Sequence, residues 1–132
     1  MKIIKQFKIA GISVLIIGII HILATPVILN QIKSLQLSFI LCFAYMFVAT
    51  GVLTITLGWL QCFVLKRIRE HLAFTLLLKT SVVLLIFLAA GAIATMWDNP
   101  FAYLILFIAL YECILLRILL QKGIDNLIAS KK

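Results

Sequence analysis

The chain has 132 residues, 65% of them hydrophobic, and a formal net charge of +8 from 12 Lys and Arg against 4 Asp and Glu. Soluble domains are about 45–50% apolar, so this composition excludes an ordinary water-soluble domain and points to a membrane protein. One domain spanning residues 1–132 is expected, with no room for a soluble catalytic module beside it.

The positive charge does not argue for nucleic acid. Most basic residues stand at the ends of apolar stretches, where they set topology and meet anionic membrane lipids. No basic patch alternates with exposed aromatics, as a nucleic-acid surface would require. The three cysteines, Cys42, Cys62 and Cys113, all fall inside apolar segments. Their odd number and the lack of a C-x-x-C spacing argue against a disulfide framework or a zinc site, and they read as small hydrophobes.

Crossing the bilayer takes about 20 apolar residues. After the basic start MKIIKQFK, the first span is expected from Ile9 to Leu29. A signal peptide cut after Ala24 is the rival reading. It is disfavoured because the apolar run continues past that point, Pro26 crowds the cut and His21 interrupts the apolar core. The second span runs from Leu37 to Leu65, long enough to tilt. The third runs from Leu72 to Trp97 and carries Lys79. The fourth runs from Phe101 to Leu120 and carries Glu112 and, near its end, Arg117. Asn99-Pro100 suits a turn and a helix start. The tail after Gln121 mixes apolar residues with lysine, a pattern for the membrane interface.

The links Asn30–Gln36, Lys66–His71 and Asp98–Pro100 are short, so successive helices should be antiparallel neighbours. One side of the membrane collects Lys2, Lys5, Lys8, Lys66, Arg67, Arg69, Lys122, Lys131 and Lys132, whereas the other has only Lys33, with Asp98. The expected fold is therefore all-α and integral to the membrane. It is an antiparallel four-transmembrane-helix bundle with cytoplasmic N and C termini, in a bacterial inner or plasma membrane.

Polar groups in hydrocarbon are costly and should face protein or water. At about 100° per residue, Gly11, Gly18, His21 and Thr25 share one face of the first helix. Ala44, Gly51, Thr54, Gly58 and Gln61 form a similar stripe on the second. Both read as small-residue seams that let helices approach closely. Glu112 and Lys79 are the two charges deepest in the spans. With helix midpoints level, Glu112 lies roughly 3 Å and Lys79 roughly 9 Å to the cytoplasmic side. The short link between the third and fourth helices lets these side chains meet, either as a structural ion pair or as a site in which Lys79 tunes Glu112; the remaining reading has Lys79 snorkel to the interface alone.

His21 suits a proton relay, a ligand or an interhelical hydrogen bond. His71 is expected in a solvated loop, and Arg117 among lipid headgroups. A haem held by His21 and Met46 is conceivable on geometry, but the reading adopted has no cofactor and no metal site. No nucleophile motif, phosphate loop or paired carboxylates is present.

In length and helix count the chain resembles the small multidrug resistance transporters. Those carry their membrane glutamate in the first helix, where this chain has His21, so the resemblance is one of architecture and assigns no residue. The leading expectation is a binder or transporter of a small molecule or proton, with Glu112, Lys79, His21 and Thr54 as its polar interior, working as a homodimer. Two alternatives stand beside it. One is a non-catalytic assembly, anchor or regulatory subunit held by a membrane-protein partner. The other is an intramembrane enzyme acting on a lipid or isoprenoid-like substrate, with His21 and Glu112 as acid and base.

Overall fold

A computed structural model describes residues 2–68, 72–95 and 100–129; at 72 and 122–129 it describes the backbone alone. The described chain is helical: α1 (Lys2–Gln31), α2 (Leu37–Arg67), α3 (Leu72–Thr95) and α4 (Pro100–Ala129). All four helices are long and apolar enough to cross a membrane. The outward surface agrees with that placement, because Leu23, Phe39, Leu41, Phe87 and Phe107 are exposed on it. An apolar exterior of this kind is stable against lipid and would aggregate in water.

The helices overrun the expected apolar spans. α1 already begins at Lys2, α2 continues to Arg67, and the backbone of α4 runs to Ala129. The hydrocarbon thickness limits how many residues must be apolar; it does not end the hydrogen-bond ladder, which continues into the headgroup layer. Met96 to Asn99, and with them Trp97 and Asp98, lie outside the described residues, as do Arg69 and His71. Pro26 sits inside α1 without ending it. It has no N–H to give the carbonyl one turn earlier.

Seven hydroxyls within the spans are satisfied by the same local bond. Ser13, Thr25, Thr50, Thr54, Thr56, Thr80 and Thr95 each donate to the carbonyl four residues back. Such back-bonding is how an apolar helix carries Ser and Thr without an unpaired donor in hydrocarbon.

Each helix packs against two others. α1 lies between α2 and α4, and α3 likewise, with no close backbone approach across either diagonal among the described residues. The tightest contact is α1 with α2. A Cβ added at Gly58 would stand 2.5 Å from the Gly11 carbonyl oxygen and 2.6 Å from the Leu15 nitrogen. One added at Gly18 would stand 2.9 Å from the Gly51 oxygen. The two glycine stripes therefore run antiparallel, with Gly11 beside Gly58 and Gly18 beside Gly51. This is the close approach that the small-residue stripes predict.

Two apolar layers draw on all four helices. One holds Val14, Ile17, Leu57, Leu85, Ala89, Ile105 and Ala109. The other, nearer the N-terminus of α1, holds Phe7, Val64, Leu65, Leu78, Val82 and Leu115.

Candidate functional site

Between these layers lies a polar one. Going from the first layer to the second, α2 passes from Leu57 to Val64 through Gln61, and α4 passes from Ala109 to Leu115 through Glu112. α1 passes through Ala10 and Gly11, while on α3 Ser81 falls between Leu78 and Val82 of the second layer. Gln61 and Glu112 are each 0% exposed, so this layer is sealed from the surroundings, and Ser81 is equally buried.

Gln61 Nε2 donates to Glu112 Oε2 at 2.7 Å. The bond joins α2 to α4, the diagonal pair whose backbones do not touch, so the two side chains meet at the centre of the packing. Ser81 Oγ donates to the Leu78 carbonyl at 2.8 Å. Two oxygens remain buried without a partner, Gln61 Oε1 and Glu112 Oε1. A buried polar atom left unpaired costs about 1–3 kcal/mol, so a hydrogen-bonded pair that leaves one on each member is built for something that satisfies them.

Glu112 is thus where the polar pattern placed it, but its expected partner is not. Lys79 is exposed on the outer face of α3, and no ion pair joins it to Glu112. The physical reason is azimuth. Lys79 and Ser81 are two residues apart, about 200° around the helix, so an inward Ser81 turns Lys79 outward. α3 is apolar nearly all round, and its composition alone does not reveal which face is buried. Lys79 instead follows Leu78 of the second apolar layer, as Lys8 follows Phe7 and Lys66 follows Leu65; Arg117 lies two residues after Leu115. Each helix carries an exposed cation at that level, and Lys79 is the member from α3.

Thr54 is buried in the α1–α2 seam, with its hydroxyl given to the Thr50 carbonyl at 2.8 Å. His21 lies elsewhere. Its ring stacks on Phe47 with centroids 4.5 Å apart, and its backbone carbonyl accepts from Thr25 Oγ1 at 3.3 Å. Its Nε2 is buried without a partner. His21 is ten residues beyond Gly11 on α1, about 15 Å farther along the axis, whereas Gly11 faces Gln61. His21 and Glu112 therefore sit at different levels and are not in direct contact. Met46 is exposed. Among the described residues no three His, Cys, Asp or Glu side chains cluster as metal ligands.

The residue that composition underrated is Gln61. Its place on the glycine stripe of α2 was legible, but there it reads as one more polar insert in a helix seam. Its partner lies on the opposite helix, and no local pattern records that.

No protein-family model matches the chain, and no curated protein or solved structure matches it either.

Proposed function

We propose that the protein is a four-span membrane protein whose buried Glu112–Gln61 pair binds, and in a working cycle carries, a proton or small ligand. The observation behind this reading is the sealed polar layer, in which a carboxyl and an amide already share one hydrogen bond and each keeps a free oxygen. A carboxyl group in hydrocarbon is expensive to place, and such residues line proton and substrate paths in membrane proteins.

The reading includes an antiparallel bundle with both termini in the cytoplasm. Supporting this are the exposed Lys2, Lys5, Lys8, Lys66, Arg67, Lys79 and Arg117 around one end, against Lys33 near the other. Cytoplasmic segments are enriched in such residues, and anionic headgroups attract them. A homodimer belongs to the same reading, since four helices enclose little space and paired subunits are the commonest way to enlarge a site.

The test is reconstitution in proteoliposomes containing a pH-sensitive dye. A pH jump should produce a flux that Glu112→Gln removes and Lys79→Ala leaves in place. Equal flux from wild type and Glu112→Gln would end the proposal.

A further inference from the structure

Resting on that reading, we infer that the ligand of the site is a single proton, held on Glu112 Oε1 and donated to Gln61 Oε1. The proton closes a ring of two hydrogen bonds. The amide N–H already donates to Glu112 Oε2 at 2.7 Å, and the acid O–H donates back to the amide oxygen. One proton taken up from solvent thereby satisfies both orphaned oxygens and neutralises the Glu112 carboxylate.

Alternative occupants fit less well. A hard cation takes six or more oxygens, and only two are free here. An organic ligand needs space, and the α1 wall is close: a methyl group at Gly11 would meet Gln61 Oε1 at 3.3 Å and Cys62 Sγ at 3.2 Å. Apolar layers close the site above and below.

The groups around Glu112 do not supply a counter-charge. α2 contributes Gln61 and Cys62, and α1 contributes Lys8, whose carbonyl accepts from Cys62 Sγ at 3.8 Å while its side chain is exposed. α3 contributes Ser81, with Lys79 turned outward, and α4 itself carries Cys113 and an exposed Arg117. Lys66 on α2 is exposed as well. A carboxylate would hold one amide N–H and nothing else, whereas the neutral acid is fully paired.

Infrared spectroscopy of the purified full-length protein at pH 7 tests this. The expected result is a C=O stretch of a protonated carboxylic acid that shifts in heavy water and disappears in Glu112→Gln. In Gln61→Leu the band should persist and move to higher frequency, because its hydrogen-bonded partner is gone. Absence of any protonated-acid C=O band from the wild-type spectrum would overturn the inference, and that spectrum needs no variant to fold. The two ideas fail separately. A carboxylate with Glu112-dependent flux sinks the proton ring alone, and a protonated Glu112 with no dependent flux sinks the transport reading alone.

Discussion

The two helical hairpins of this protein are built on different principles. α1 and α2 meet backbone to backbone, because Gly11, Gly18, Gly51 and Gly58 face each other at heptad spacing. α3 and α4 meet through side chains, with Leu85 and Ala89 against Ile105 and Ala109 in one layer and Leu78 and Val82 against Leu115 in the other. Gly91 of α3 has nothing within 4 Å of where its Cβ would be. A glycine in a membrane helix is thus a packing device only where a second helix lies opposite it. The polar pair obeys neither hairpin. It links α2 to α4 across the centre, so the first hairpin holds the second by a buried hydrogen bond as well as by apolar contact.

Breaking the glycine seam should have the largest effect. Gly58→Ala places a methyl against the Gly11 carbonyl and the Leu15 backbone, neither of which can rotate away. Overpacking costs about 1–3 kcal/mol and occasionally more; against rigid backbone this site falls at the top of that range, well above the roughly 1 kcal/mol that alanine gains over glycine in a helix. Thermal unfolding in detergent should fall clearly below wild type, and an unchanged midpoint would mean the seam is looser than described.

Next in size is the cross-brace. Gln61→Leu leaves Glu112 without its hydrogen-bond donor, at a cost of about 1–3 kcal/mol. Combined with Glu112→Leu, the loss should shrink, since two apolar groups no longer strand a polar one. Fully additive losses in the four unfolding midpoints of that cycle would show that the pair is not coupled.

Gly91→Ala sharpens the comparison from the other side. With open space around it, the substitution should be neutral or stabilising by up to about 1 kcal/mol, from helix propensity alone. A loss comparable to that of Gly58→Ala would place an unseen helix against α3. The smallest expected effect is the coupling of Lys79 to Glu112. Lys79→Ala and Glu112→Gln should combine additively, within the roughly 0.3–0.5 kcal/mol usual for independent sites. A larger interaction energy in the same unfolding assay would restore the ion pair that the geometry denies.

Much of this was written in the sequence. Apolar runs of bilayer length determined four helices long and apolar enough to cross a membrane, because hydrocarbon demands both apolar side chains and an internally satisfied backbone. The period of the small residues determined the α1–α2 seam, since residues that share a helix face recur at fixed spacing. Glu112 stood out because a carboxyl in an apolar run has no cheap explanation.

Only the tertiary structure decided what Glu112 touches. Depth along a helix follows from counting residues, so Lys79 and Glu112 looked like neighbours. Direction around a helix follows from which face its neighbours bury, and α3, apolar on nearly every side, does not announce that face. The packing turned Ser81 inward and Lys79 outward, and it brought Gln61 from the diagonal helix to Glu112. That pairing joins residues 51 positions apart on helices that share no backbone contact, so it arises from the assembly of all four helices and from no segment alone.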